Sequence, residues 1–198
     1  SNGDILLSGP KDFPVENWQE ARFRLSELWI LNKTLDKPPV RLGEYCWEGP
    51  CVSRTQLRIA WAEHHGLYPS EKRFYQIWVA DIKYVSGKPV LVDQHIVLDN
   101  SKGMVKGAVL EPQNFRPHNE KELLVQSSNE GTEVLGLNIE TGELFNYSQS
   151  PVSYDEPEGT FPNGEYVLVE SNRHNPEKRP GTNIDLWKLK LDGSKTWE

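Results

Sequence analysis

Four glutamates are the residues of this chain best suited to chemistry, and two of them, Glu156 and Glu158, are separated by a single proline. The other two are Glu111 and Glu170. Carboxylates that crowd one another have pKa values pushed apart, which is what a glycosidase needs for one acid and one base or nucleophile. We expect Glu158 and Glu170 to be the acid and base candidates, with Glu156 and Glu111 as their electrostatic partners.

Basic and aromatic side chains could bind a sugar beside these acids. Arg173 and His174 are the best candidates for binding a sugar acid, because an arginine can hold a carboxylate through two parallel hydrogen bonds. His65, Trp47 and Trp61 are further candidates, since a tryptophan ring can stack on a sugar. The alternative is structural: each glutamate accepts backbone amides at a loop, and the tryptophans belong to the core.

Metal and cofactor chemistry have little support in the sequence. The five histidines show no short ligand spacing such as HExxH, so a metal would require His64, His65 and His174 to converge from separate parts of the chain. The GxSxG, P-loop and GxGxxG motifs do not occur either. We therefore expect neither a metal nor a cofactor.

Composition excludes two classes of partner. The net charge of −7 provides no general attraction for phosphate backbones, so nucleic-acid binding is not expected. No apolar run approaches the roughly 18 residues that span a bilayer, which excludes membrane insertion. The 10% of aromatic residues argues for a packed core, and 15 Gly with 14 Pro favour many short strands joined by turns.

The two cysteines and two glycosylation sequons depend on the cellular compartment for their meaning. Cys46 and Cys51 would form a local disulfide in a secreted chain and remain two buried thiols in a cytosolic one. The sequons at Asn32 and Asn146 matter only in a secretory pathway. The first residues show no leader, so we expect that a signal peptide was never present or has been removed.

An internal repeat predicts the fold. Four segments share an apolar, strand-like pattern and recur roughly every 50 residues, which is about one four-stranded propeller blade. They are Glu27–Asn32, Gln76–Asp81, Glu133–Asn138 and Asp185–Lys190. Three carry a tryptophan in the middle (Trp29, Trp78 and Trp187), which we interpret as core packing.

The repeat predicts an all-β chain of three and a half to four blades, each an antiparallel sheet running from an innermost to an outer strand. The blades cover about residues 1–44, 45–104, 105–150 and 151–198. In the second blade the outer strand is expected at Ile96–Leu98, after a long insertion. Since propellers close with about four to eight blades, we expect a partial ring completed by another chain or segment. An all-β domain that is not a propeller is the alternative.

This architecture would bring distant residues to one mouth of a central channel, because innermost strands and the loops after second strands converge there. The polar residues at those positions include the four glutamates, Arg173, His174 and His65. The remaining ones are Glu48, Glu63, His64, Gln113 and Gln126.

The last blade carries a family resemblance. The segments Tyr154–Gly164, Val167–His174 and Ile184–Gly193 resemble a blade of the TolB-like, WD-repeat-like propellers, with an Asn-Gly turn, a second strand and an Asp-Gly hairpin. The blade is also similar to secreted fungal propellers of the saponin hydrolase type. That resemblance implies secretion and removal of a glucuronyl sugar from a glycoside.

These observations lead to one leading hypothesis and two rivals. The leading one is a secreted, carbohydrate-active propeller, a glycoside hydrolase acting on a glucuronyl conjugate such as a saponin. The first rival is a non-enzymatic TolB-like propeller that binds a protein or glycan. The second, the propeller of a serine peptidase, would require an α/β-hydrolase domain. Two mouth glutamates about 5 to 10 Å apart would favour hydrolysis.

Overall fold

A computed structural model describes residues 3–10, 26–44, 50–65, 74–174 and 183–198. Within these ranges the chain forms β-strands and one short 3-10 helix, Gly103–Val105. It divides into two compact units, Ser1–Asp99 and Asn100–Glu198, and each unit contains two antiparallel sheets. In the described part of the chain, no helix has the length and apolar character needed to cross a membrane.

The first unit contains sheets 1 and 2, each built from strands that follow one another in the sequence. Sheet 1 has the strands β1 (Ile5–Pro10), β2 (Ser26–Leu31) and β3 (Val40–Glu44). Sheet 2 has the strands β4 (Cys51–Val52), β5 (Arg58–His65), β6 (Phe74–Val85) and β7 (Lys88–Asp99). The core between them consists of Leu28, Ile30, Ile59, Trp61, Ala80 and Ile82.

The outer strand expected at Ile96–Leu98 lies within β7, and the insertion before it forms a hairpin. Strands β6 and β7 continue as one long hairpin of 12 residues on each side. The chain reverses at Ser86 and Gly87, whose φ angles of 51° and 77° give the turn that matches the twist of paired strands. The extra residues therefore lengthen two strands that were already present.

The second unit contains sheets 3 and 4, again in sequence order. Sheet 3 has the strands β8 (Val109–Phe115), β9 (Glu122–Ser128), β10 (Thr132–Asn138) and β11 (Leu144–Asn146). Sheet 4 has the strands β12 (Asp155–Thr160), β13 (Tyr166–Ser171) and β14 (Asp185–Lys190). The backbones of Lys188 and Glu198 bond to each other in both directions, as expected for an outer strand beside β14.

Alternating burial explains why these segments form strands. Strand β13 alternates between half-buried and buried residues along its whole length, which is the pattern of a strand with one face in the core. Its buried Val167 and Val169 pack with Leu189 of β14 against Leu124 and Val134 of sheet 3. The four repeated segments of the sequence lie on β2, β6, β10 and β14, so each was correctly predicted to be a strand.

Arg116 connects the two sheets of the second unit. Its Nε donates to the carbonyl of Gly164 at 2.7 Å, and its Nη2 donates to the carbonyl of Leu191 at 2.9 Å. Gly164 has a φ of 71°, and a Cβ there would lie 2.2 Å from the carbonyl oxygen of Pro117, so only glycine fits this close approach. These contacts fix how sheets 3 and 4 pack against each other. They thereby also fix the relative positions of the acidic residues on the two sheets.

Candidate functional site

The candidate site begins with two glutamates on adjacent strands of sheet 4. Glu156 of β12 is the direct cross-strand partner of Glu170 of β13. Side chains at such positions leave the same face of the sheet with their Cβ atoms about 4.5–5.5 Å apart. Two carboxylates are therefore held close together by backbone pairing alone.

A β-bulge adds the third carboxylate. Pro157 is paired with Val169 and Gly159 with Leu168, so the register skips Glu158. A bulge redirects the side chain of its extra residue, and here the carboxylates of Glu156, Glu158 and Glu170 each have an oxygen within 4.8 Å of the others. Proline and glycine within a strand are the sequence signal for such an irregularity. The bulge was not among the predictions from the sequence.

The side-chain amide of Gln126 links this group to Glu111 of sheet 3. We orient the amide nitrogen toward the acids, because its oxygen would otherwise face two acceptors. Gln126 then donates to Glu111 Oε2 at 2.9 Å and to Glu156 Oε1 at 3.0 Å, while its own oxygen accepts from Ser128 Oγ at 3.2 Å. Glu111 and Gln126 are each 8% exposed, so this link is buried.

The four glutamates and Gln126 together form what we call the acidic cluster. Sequence analysis selected all four glutamates, and the structure brings them together at one end of sheets 3 and 4. From the sequence, Gln126 was expected among the polar residues of the mouth. Its bridging role depends on the packing of two sheets and was not predicted.

Glu158 has the pKa shift that a general acid needs. Its partial desolvation and, to a lesser extent, the neighbouring Glu170 carboxylate raise the pKa of Glu158. A carboxyl group with a raised pKa keeps its proton to a higher pH, which is the property of a general acid.

The same three carboxylates have the donor set of a hard cation. Calcium binds carboxylate oxygens at 2.3–2.6 Å, and the oxygens of Glu156, Glu158 and Glu170 are close enough to share one ion.

The histidines that the sequence suggested as metal ligands are a different set of residues. His174 Nδ1 lies 3.2 Å from Asp185 Oδ2, and the side chains of His64 and His65 lie outside the described residues. The expectation of no metal stays a prediction.

Arg173 is engaged with tryptophan rings. Its guanidinium carbon lies 3.7 Å from the ring centre of Trp197 and 5.5 Å from that of Trp187. The backbone N–H of Arg173 donates to Ser171 Oγ at 3.0 Å. Because its cationic plane is stacked on Trp197, Arg173 contributes cation–π packing at the end of β13. Binding of a sugar acid by Arg173 and His174 stays a prediction.

Trp61 is a core residue, so its prediction as a sugar platform is wrong. It is 2% exposed and stacks on Trp78 with ring centres 6.2 Å apart, and its Nε1 donates to Glu63 Oε1 at 3.3 Å. A ring covered in this way offers no face to a ligand. Trp47 and the side chain of His65 lie outside the described residues.

The disulfide and the glycosylated asparagines stay predictions. Cys46 and Glu48 lie outside the described residues, and Cys51 is half-buried in β4. Asn32 follows β2 and donates to Thr34 Oγ1 at 2.6 Å in an exposed turn. Asn146 ends β11, and the Ser148 of its sequon is 2% exposed and donates to Glu133.

No family model and no curated protein matches the chain. Several solved structures are similar to it, among them the following two. TolB from Acinetobacter baumannii aligns with a TM-score of 0.60 at 14% identity, over 99% of this chain and 41% of TolB. A puromycin-hydrolyzing peptidase from Mycobacterium tuberculosis aligns with a TM-score of 0.54 at 12% identity, over 96% of this chain and 28% of the peptidase.

These similarities concern the fold. The chain spans less than half the length of either structure, and at such low identity the residues of a site are not transferable. The antiparallel sheets, each built from strands that are consecutive in the sequence, and the two alignments confirm the prediction of an all-β partial propeller. The chain has the fold of a TolB-like β-propeller.

Proposed function

We propose that the acidic cluster is the hydrolytic site of a carbohydrate-active propeller that cleaves glycosides. The observation that carries this proposal is the approach of Glu156, Glu158 and Glu170 to within 4.8 Å, together with the raised pKa of Glu158. Retaining glycosidases hold their two carboxyl groups about 5–5.5 Å apart, and inverting ones hold them farther apart. The cluster therefore favours the retaining reaction.

In this proposal Glu158 is the general acid and Glu170 the nucleophile. Glu158 gives its proton to the glycosidic oxygen as the bond from that oxygen to the anomeric carbon breaks, and Glu170 forms an ester with that carbon. Glu158 then takes a proton from water, and the oxygen of that water replaces Glu170 at the anomeric carbon. Glu156 and Glu111 stabilise the positive charge that develops on the sugar ring.

The charge of the cluster favours a neutral sugar. A glucuronyl group would bring a carboxylate toward several others, and like charges at close range oppose binding. The cation expected to bind that group, Arg173, is stacked on Trp197. We therefore propose a neutral glycoside as the substrate class, with glucuronyl conjugates such as saponins as the alternative to be compared with it.

The biological setting belongs to the same proposal. Secretion, glycans on Asn32 and Asn146, and a disulfide between Cys46 and Cys51 would fit a protein acting on external glycosides. The remaining blades would come from another chain or segment, since the chain corresponds to 41% of TolB. The likeness to a peptidase supports the fold and adds nothing for peptide cleavage.

The test is hydrolysis of 4-nitrophenyl β-glucoside and 4-nitrophenyl β-glucuronide by the purified protein. We expect Glu158→Gln to lower kcat about 100- to 10,000-fold on the nitrophenyl glucoside. The kcat of Glu158→Gln should recover on 2,4-dinitrophenyl β-glucoside, because the leaving group of this substrate needs no proton. Glu170→Gln should be inactive on both, because it lacks the nucleophile.

Glu165→Gln is the matched control, since Glu165 is an exposed glutamate in the turn just before β13, outside the cluster, and should keep full activity. Circular dichroism establishes that each variant is folded. Absence of turnover on all three substrates overturns the proposal, as does full activity of the folded Glu158→Gln and Glu170→Gln proteins. Faster turnover of the glucuronide than of the glucoside would overturn the neutral-substrate part alone.

A further inference from the structure

A groove on sheet 3 is separate from the acidic cluster. It has a volume of about 580 Å³ and is lined by residues of β9, β10, β11 and their turns. Glu122, at the start of β9, is part of its lining, whereas Gln126 of the acidic cluster lies near the end of the same strand. Four strand residues correspond to roughly 13 Å, so a small ligand cannot occupy both places.

The floor of the groove is a rigid polar network. Glu122 accepts hydrogen bonds from Tyr147 Oη at 2.5 Å, Arg116 Nη1 at 2.9 Å and Asn119 Nδ2 at 3.1 Å. Gly136 lies beneath it, and a Cβ there would come within 2.6 Å of both Glu122 Oε1 and Tyr147 Cε2. The absence of a side chain at this position lets the network form and keeps the groove open.

An exposed aromatic ring forms one wall. Phe145 is 47% exposed, although it is a large apolar residue on a strand. Its ring centre lies 4.8 Å from that of Tyr147, and a Cβ on Gly193 would lie 2.9 Å from its Cζ, so Tyr147 and the turn at Gly193 hold it in place. The ring is therefore fixed and still accessible to solvent, as an aromatic platform for a ligand must be.

Hydrogen-bonding groups remain available around this ring. Asn138 Oδ1 accepts from the backbone N–H groups of Glu140 and Thr141, while its Nδ2 has no acceptor among the described residues. Glu143 accepts one bond from Thr141 Oγ1 at 3.2 Å, which leaves carboxylate lone pairs free. Lys121 has one bond, to Glu140 Oε2 at 2.9 Å, and two further donors. Donors and acceptors thus stand beside an apolar ring.

The surroundings exclude two other ligand classes. A phosphate or nucleotide would meet the carboxylates of Glu122 and Glu143 on a chain of net charge −7. A peptide adding to the sheet edge would pair with β11, whose three residues provide too few backbone bonds for strand addition. A neutral molecule with hydroxyls and an apolar face fits the remaining chemistry.

We infer that this groove binds a pyranose unit of a neutral oligosaccharide. The apolar face of the sugar stacks on Phe145, and its hydroxyls bond to Asn138 Nδ2, Glu143 and Lys121. Binding here does not depend on the hydrolysis proposed for the acidic cluster, so either proposal can fail without the other.

The test is isothermal titration of the full chain with cellohexaose, xylohexaose and mannohexaose. We expect at least one to bind with a Kd in the millimolar range or below. Phe145→Ala should weaken that binding at least tenfold, whereas Phe145→Tyr should retain it because the ring is kept. Leu186→Ala is the control for removing an exposed apolar side chain, since Leu186 is 64% exposed on sheet 4.

Glu158→Gln separates the two sites. It should leave oligosaccharide binding in the groove unchanged while lowering the turnover of 4-nitrophenyl β-glucoside. The inference is overturned if none of the three oligosaccharides binds, if Phe145→Ala binds as tightly as the unaltered chain, or if Phe145→Tyr loses binding together with Phe145→Ala.

Discussion

Glu156 and Glu170 lie directly opposite one another on the paired strands β12 and β13. Like charges in this position oppose strand pairing, and the bulge at Glu158 adds a third carboxylate within 4.8 Å. Repulsion among these carboxylates therefore destabilises sheet 4 locally. The proposed chemistry needs a carboxyl group that retains its proton at this same position. Such a conflict between stability and local charge is common at functional sites.

Removing one charge of this pair should stabilise the protein. We expect Glu170→Gln to raise the free energy of unfolding at pH 7 by about 0.2–1 kcal/mol, because the repulsion across the strands disappears while the side chain keeps its size. Urea unfolding measures the change.

Glu165→Gln serves as the control for this measurement, since it removes an exposed charge in the turn before β13, outside the cluster, and should change stability little. A lower stability of Glu170→Gln than of the unaltered protein would mean that Glu170 makes a net attractive contact, and would contradict the repulsive cluster.

The parts of the fold that sequence predicted depend on local patterns. Alternation of apolar residues is encoded within six or seven neighbouring positions, so β2, β6, β10 and β14 were identifiable from their own residues. Once the strand order of each blade was assigned, the convergence of Glu111, Glu156, Glu158 and Glu170 followed from topology.

Contacts supplied by distant parts of the chain could not be predicted, and the interpretation of Trp61 as a sugar platform was wrong for that reason. Trp61 becomes a core residue because β6 places Trp78 against it, and nothing near Trp61 in the sequence indicates that contact. Arg173 stacks on Trp197, which a separate strand region provides. The insertion before Ile96–Leu98 forms the long hairpin of β6 and β7, and Ser86-Gly87 is the local signal for its turn.

Asp155 should make stability depend on pH. It is fully buried, and burial raises its pKa to about 6, with the charge of Glu133 adding to this effect and with Ser171, Ser150 and Arg173 opposing it. The unfolded chain loses this proton near pH 4, whereas the folded one keeps it until about pH 6. The stability contributed by the protonated form is therefore present below pH 4 and is lost as the pH rises to about 6.

Asp155→Asn should remove this dependence, because its side chain is neutral at every pH and can still accept from Ser171. In urea unfolding at pH 4, 5, 6 and 7, the stability of the variant relative to the unaltered protein should increase with pH, by at most about 3 kcal/mol. A constant difference for Asp155→Asn would show that Asp155 ionises normally in the folded protein.

Arg116 should be the most sensitive polar position between sheets 3 and 4. It donates to the carbonyls of Gly164 and Leu191 and forms an ion pair with Glu122 at 2.9 Å, in which the side chains are 20% and 13% exposed. Burial and the Glu122 carboxylate raise the pKa of Tyr147, so the phenol stays protonated and donates to Glu122. Loss of Arg116 therefore leaves a nearly buried carboxylate without its cation and two carbonyls without their donor.

We expect Arg116→Gln to lower the free energy of unfolding by about 2–4 kcal/mol. The comparison is Arg58→Gln, which removes an ion pair with Asp81 of similar length, 2.8 Å, but with greater exposure and should lower it by about 1 kcal/mol or less. Adding Glu122→Gln to Arg116→Gln should restore part of the loss, because the unpaired charge is then removed. Equal effects of Arg116→Gln and Arg58→Gln would show that the arginine does not hold the two sheets together.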